Sequence, residues 1–425
     1  MSLNSTMYTG LSGLSAMTSS INVTSDNIAN MNSVGHRASR AQFSDVLSKS
    51  IMGVGQVGGG VKLAKIEKLF QQGAVIGSAR STDMAISGRG FFVVRGSQNG
   101  VTDNFYTRAG QFNTDAQGYL VNPDGLRVQG YMTDANQVLS SSLSDLRINS
   151  GPLLPNPTTR VALDAQLNGH PSVTGQNFLP ADPANTSNWS TTTSVFDSIG
   201  NSHQATVYFT RSPTNPNEWT WNAMVDGSET ATGVAGTPFS IADGTMTFNN
   251  GLMTGQTTNN NTVDFIGAAP GQTIDFDFTG TSARAHSTQD VGGGFDIRDL
   301  SQDGFGAANL AELGVGENGD LIARYDNGLS RLVGRVALAD FRNESGLERA
   351  GGSVFAGTPE SGDPLIGFAG AGGRGDIRGS SLEQSNVDLS TEFVKMIADQ
   401  RAYQAASRTI TTADELMSET VNLKR

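Results

Sequence analysis

Apolar side chains recur every seven positions at both ends of this chain. Near the C-terminus the series is Leu389, Met396, Tyr403, Ile410 and Met417, with Phe393 and Val421 on the same stripe. The run 388–423 lacks Gly and Pro and is rich in Glu, Ala, Gln and Arg, which favour helix. Near the N-terminus Met7, Leu14, Ile21 and Ile28 keep the same period, and Leu3, Leu11 and Met17 fill the half-steps. A sustained heptad stripe belongs to a helix that packs against another helix. The spacing therefore predicts helices over 3–31 and 386–425 that pair as a coiled coil. Gly10 and Gly13 lower the intrinsic stability of the first helix by about 1 kcal/mol each relative to Ala. We expect it to order only when its stripe is packed.

The middle of the chain changes period. Residues 83–94 place two apolar runs around Ser87-Gly88-Arg89-Gly90, and 106–121 carry turn residues at short intervals. Pro123-Asp124-Gly125 is a turn, because Pro presets φ and Gly accepts φ > 0. Such a texture predicts short strands. The segments 321–328 and 332–341 repeat it, the latter reading as one long buried strand. All three Trp residues, Trp189, Trp219 and Trp221, fall in the section 151–285, which Pro152, Pro155 and Pro157 introduce. It reads as a separate β domain inserted into a discontinuous one. A short helix is expected around Phe43, Val46, Leu47 and Ile51. The predicted fold is mainly β and multidomain, with α-helical termini and nested discontinuous β domains. Its parts are a helical core of 1–31 and 386–425, and a connecting segment of 32–82 and 367–385. A middle β domain comprises 83–150 and 286–366, and an outer domain 151–285.

Composition narrows the function. A chain of 425 residues with 52 Gly and only 16% charged residues suits strands and tight turns better than a helical or α/β enzyme core. A net charge of −12, with no local basic block, argues against nucleic acid. The absence of cysteine removes disulfides, thiolate metal sites and Cys nucleophiles. No apolar run approaches the ~18–20 residues that span a bilayer, and no basic n-region with an apolar h-region marks a cleaved signal.

Candidate chemistry is sparse. Gly370-Ala371-Gly372-Gly373-Arg374-Gly375 matches G-x-G-x-x-G, but Asp376-Ile377-Arg378-Gly379-Ser380 beyond it is no helix start, so it reads as a linker. Asn113, Asp115, Gln117 and Asp124 imitate a calcium loop with unsuitable fifth and twelfth ligands, and a hairpin turn fits them better. His36, His170, His203 and His286 show no metal-ligand spacing. Neither a cofactor nor catalysis is expected.

Two motifs carry a resemblance. Ala29-Asn30-Met31-Asn32-Ser33-Val34-Gly35-His36-Arg37 is similar to the signature Ala-Asn-x-x-Thr-x-Gly-aromatic-basic of the axial proteins of the bacterial flagellum. It differs at Ser33 and His36. Glu383-Gln384-Ser385-Asn386-Val387-Asp388-Leu389, then Met396-Ile397 and Gln400-Arg401-Ala402-Tyr403, resembles that family's C-terminal signature. Residues 83–131 resemble the β region shared by its rod and hook members. The insert at 151–285 resembles the outer domain of the hook branch. The resemblance implies a non-enzymatic subunit of a curved, flexible tube outside the cell, which passes motor torque to the filament. It implies self-association into a helical homopolymer, contact with distal rod, hook cap and hook–filament junction proteins, and type III export without a cleaved signal. It also implies that loss of residues 1–35 prevents polymerisation but leaves the β domains folded. A straight distal-rod protein and a secreted Gly-rich β adhesin are the alternatives.

Overall fold

The structure is a computed structural model, and it describes residues 3–47, 58–98, 100–134, 137–149, 151–168, 177–280 and 288–422. It is mainly β, with one long helix at each end, Leu3–Ala29 and Leu389–Asn422. Asp388 caps the second helix, its Oδ1 accepting the Thr391 amide at 2.7 Å. That bond holds the Asp388 carboxyl below its usual range. The first helix closes at Asn30, whose Nδ2 donates to the Asp26 carbonyl at 2.9 Å.

The chain forms two compact units. The first comprises 1–150, 311–324 and 328–425. Strand Ser39–Leu47 pairs antiparallel with Gly58–Lys68, Ser39 opposite Lys68 and Leu47 opposite Gly58. The helix expected around Phe43, Val46 and Leu47 is therefore a strand, and Ile51 lies outside the described residues. A few apolar positions cannot separate the two periods, and here the ladder with Gly58–Lys68 decides.

A larger sheet is built on Phe91–Gln98. It pairs with Val101–Thr107, Arg127–Met132 and Leu338–Asp340. The apolar stretch 332–341 is not one strand. It divides at Ala337 into Ser330–Val336, paired with Arg127–Met132, and Leu338–Asp340, paired with Phe91–Phe92 and Leu365–Gly367. The core beneath holds Phe91, Val93, Tyr106, Phe341, Leu347 and Phe355. Tyr106 meets Phe341 edge-on with ring centroids 4.7 Å apart. Asp376–Gly379, next to the G-x-G-x-x-G match, is a strand on Met84–Ser87.

The second unit comprises 151–310 and 325–327. Strands Trp189–Phe196, Ser202–Arg211, Glu218–Asp226, Pro238–Asn249 and Leu252–Asn260 form an antiparallel meander. Strand Arg160–Asn168 carries Asp275–Asp277 and Gln289–Val291 in parallel and Asp296–Gln302 antiparallel. Residues 289–302, expected in the middle domain, thus pair within this unit. Inward positions bury Phe209, Trp219, Trp221, Phe276 and Phe278 completely. Many outward positions of the meander are polar and uncharged, among them Ser190, Thr192, Gln204, Thr247 and Thr257, with Asp226 and Leu252 as exposed exceptions. Of the four histidines, His203 is bracketed by Asp197 and Glu229 and stacks on Phe265. His170 and His286 lie outside the described residues.

Candidate assembly site

The terminal helices pair antiparallel. Ser20 Oγ donates to Asp399 Oδ2 at 2.6 Å, Gly13 faces Ala406 and Gly10 faces Ile410. The covered line on the first helix is made of small or short residues: Gly10, Ala16, Ser20, Val23, Thr24 and Asn27. A Cβ on Gly10 would stand 2.8 Å from Ile410 Cγ1, so hydrogen there lets the helices approach. The heptad residues flank this line. Met7, Leu14, Met17, Ile21 and Ile28 are half-buried, as are Leu389, Met396, Ile410 and Met417. Leu11, Phe393 and Tyr403 are 57%, 48% and 41% exposed, and Val394 and Ile397 are also open, at 69% and 51%. The side chains of Leu3 and Val421 lie outside the described residues. One pairing therefore covers only part of the apolar surface the two helices offer.

Beneath the helices, the two sequence motifs meet. Arg37 Nη2 donates to Glu383 Oε1 at 2.8 Å, and Arg108 Nη1 lies 3.4 Å from Glu383 Oε2. The three side chains are 1%, 4% and 0% exposed for Arg37, Arg108 and Glu383. The Gly73 amide also donates to Glu383 Oε1, at 2.9 Å. Burial lowers the Arg108 guanidinium to about 10. Asn386 brackets the same crossing: its Oδ1 accepts the Ala38 amide, and its Nδ2 donates to the Leu69 and Gln71 carbonyls. Asn27 makes a second bracket, bonding both the amide and the carbonyl of Ser39 at 2.8 Å. Gly35 has φ +68°, and a Cβ there would fall 2.4 Å from the Ala109 amide nitrogen. His36 is buried where the motif has an aromatic ring, and burial pushes its imidazole below its ordinary pKa.

The other motif residues have simpler places. Asn30 closes the first helix and accepts the Ser33 hydroxyl. Ser385 Oγ accepts the Val387 amide, and Val387 is half-buried. Ala29, Asn32, Gln400, Arg401 and Ala402 are exposed. Sequence reasoning passed over Asn27, Gly73 and Arg108. It also read Gly10 and Gly13 only as helix weakeners. The signal available was the spacing of small residues three and four apart from Gly10 to Ser20.

Beside the helices runs a groove of about 810 Å³, lined by Val23, Leu63, Ile66, Lys68 and Leu347 and bridged by Asp26 and Arg349 at 2.8 Å. Lys68 Nζ donates to the Leu347 carbonyl at 2.7 Å, and burial lowers its pKa to about 8. Elsewhere, Asp115 Oδ1 accepts the Gln117 and Tyr119 amides, so the calcium-loop imitation is a closed turn. Among the described residues no His, Asp or Glu cluster could hold a metal, and no helix is long and apolar enough to cross a membrane.

Comparison with known proteins covers most of these parts. Family models match four stretches: flagella basal body rod protein at 7–37, flagellar hook protein FlgE/F/G D1 domain at 85–152, flagellar basal body protein FlaE D2 domain at 162–305, and flagellar basal body rod FlgEFG protein C-terminal at 378–423. The flagellar hook protein FlgE of Borreliella burgdorferi is 31% identical, covering 98% of this chain and 99% of its own. That of Salmonella typhimurium is 33% identical over 97% and 98%, and that of Escherichia coli K12 is 32% identical over the same shares. A crystal structure of Helicobacter pylori flagellar hook protein FlgE2 shares the fold, with a TM-score of 0.54 at 20% identity over 73% of this chain and 100% of that one. Relatives of this identity, matched along nearly the whole chain, show that it belongs to the flagellar hook protein FlgE family.

Proposed function

We propose that this chain is the structural subunit of the flagellar hook, a curved tube outside the cell that bends while it passes motor torque to the filament. The observation that carries the reading is the incompletely covered helix pair. A helix stripe with Phe393, Val394, Ile397 and Tyr403 in water is an interface lacking its partner. Copies of the same helices supply that partner in a head-to-tail contact that does not close, and such contacts make helical filaments. The helices line the tube.

Bending requires outer contacts that slide while inner ones hold. A face rich in hydroxyls and amides, such as the one bearing Ser190, Thr192, Gln204, Thr247 and Thr257, suits contacts that slide, since ion pairs that lock one register are few on it. The same reading brings further partners: distal rod below, cap and hook–filament junction proteins above, and the type III export apparatus as the route out.

Tyr403→Glu tests the reading. Tyr403 is 41% exposed in the single chain, so a charge there leaves the fold nearly unchanged but buries an unpaired carboxylate in the polymer. The expected result is an exported, folded chain and no tubes by electron microscopy. Tubes at wild-type yield would refute the assignment of this face.

A further inference from the structure

The buried cluster of Arg37, Glu383 and Arg108 contains two cations and one carboxylate. Removing charge from water is unfavourable, and an unbalanced buried charge more so. The cluster is also incompletely bonded: Arg37 Nε and Nη1 and Arg108 Nε have no hydrogen-bond partner among the described residues. Arg108 has several partners of its own. It meets Glu383, donates to the Gly88 carbonyl at 2.8 Å and lies 5.3 Å from the centroid of the Phe91 ring. Arg108 and Glu383 would form a neutral pair without Arg37. Local stability therefore does not explain the second arginine.

Its position in the chain does. Arg37 comes after the first helix, which ends at Ala29, and Glu383 precedes the second, which starts at Leu389. Arg108 comes directly after the sheet strand Val101–Thr107. The carboxylate is therefore shared between the root of one helix and the sheet, and it stands at the root of the other. The Gly35 amide adds a bond to the Glu383 carbonyl at 2.8 Å, and Asn386 holds Ala38. Neighbouring backbones cross here with no room for a Cβ at Gly35 or at Gly73, where it would meet the Gln384 carbonyl oxygen.

We propose that Arg37 is a positioning residue: through the shared Glu383 carboxylate it fixes the angle of the helix pair on the sheet built on Phe91–Gln98, so that the subunit enters the tube as one lever. The inference rests on the hook reading above and names the joint within it. Arg37 reaches the carboxylate through Nη2 alone, and its planar, packed guanidinium fixes where that one N–H points, which a flexible ammonium does not.

Arg37→Met tests it in the full chain, with Arg37→Lys beside it. Arg37→Met leaves the neutral Arg108–Glu383 pair. The free chain should unfold at the wild-type temperature, because the lost bond is offset by one buried cation fewer, while tube yield falls roughly tenfold as the helix pair loses its fixed angle. Arg37→Lys keeps the charge without the planar guanidinium and should recover less than half of that loss. Two results overturn the proposal: Arg37→Met building tubes of wild-type yield and curvature, or Arg37→Met lowering the unfolding temperature of the free chain, which would make the arginine a plain stabiliser. Should Arg37→Met not be recovered folded, Arg37→Lys decides alone, and wild-type tubes from it refute the angle. If the unaltered chain builds no tube in the same assay, the hook reading fails instead.

Discussion

The second unit and the helix pair bury apolar surface in opposite ways. The second unit encloses Trp219, Trp221, Phe209, Phe276 and Phe278 without help, every one of them 0% exposed. The helix pair seals only a line of small residues and leaves Leu11, Phe393, Tyr403 and Leu416 between 41% and 57% exposed. A region that completes its own core is stable as a single chain. A region that leaves its large side chains at the rim is stable only in company. The contrast separates a part that must fold alone from a part that must wait for its neighbours.

The most severe way to break the comparison is Trp221→Ala. The ring packs against Phe276 and Phe278 with centroids 5.4 Å and 5.1 Å away. Its loss leaves a cavity, and the second unit should lose about 3–5 kcal/mol. Chemical unfolding of the full chain monitored by circular dichroism measures this. A loss below about 1 kcal/mol would mean that this core is not closed in the way described.

A matched pair of substitutions on one helix tests the other half. Gly10→Ala and Gly13→Ala each gain about 1 kcal/mol of helix propensity. Their surroundings differ. A Cβ at Gly13 finds Ala406 Cβ at an ordinary 3.7 Å, whereas one at Gly10 meets Ile410 Cγ1 at 2.8 Å and Thr409 Oγ1 at 3.2 Å. Overpacking of that kind costs about 1–3 kcal/mol. Gly13→Ala should therefore stabilise the helix pair, and Gly10→Ala should leave it unchanged or weaken it. Hydrogen exchange of the helix amides in the full chain reads both. Equal shifts at the two positions would show that Gly10 is not at the contact.

Much of this was legible in the sequence, and the failures have physical reasons. The period of seven at both termini identified the helices, because it reports which side chains avoid water. It did not identify the contact line, because Gly10, Ala16 and Ser20 contribute closeness rather than hydrophobicity and leave no apolar signal. The strand Ser39–Leu47 was missed because Phe43, Val46 and Leu47 suit either period until Gly58–Lys68 pairs with them. The joint was half legible. Arg37 and Asn386 stood in motifs, but Arg108 is one arginine among many until Gly35 is placed against Ala109. The break at Ala337 could not be read at all, since apolar residues run through both halves of 332–341 and only the change of neighbouring strands divides them.

The smallest expected effect is a titration in the helix-bearing unit. Lys68 sits in the groove beside the first helix, and burial, helped by Arg349, lowers its pKa from 10.5 to about 8. The unfolded chain keeps this proton up to the higher value, and the folded chain releases it near the lower one. Between them the unfolded state binds more protons, so stability contributed by this group rises with pH. Below pH 8 the ammonium stays in the groove and its full desolvation penalty is present. The useful window ends near pH 10. Above it, unfolded Tyr106 loses its proton while burial holds the folded phenol up to about 12, and stability falls with pH. Lys68 is only half-buried, so water screens the effect and keeps it small. Unfolding midpoints of the full chain and of Lys68→Met, compared from pH 8 to 10, should converge or cross as the wild type gains on the variant. Parallel curves would place the Lys68 amine in open water, and would remove the groove from the account of how the helix pair is seated.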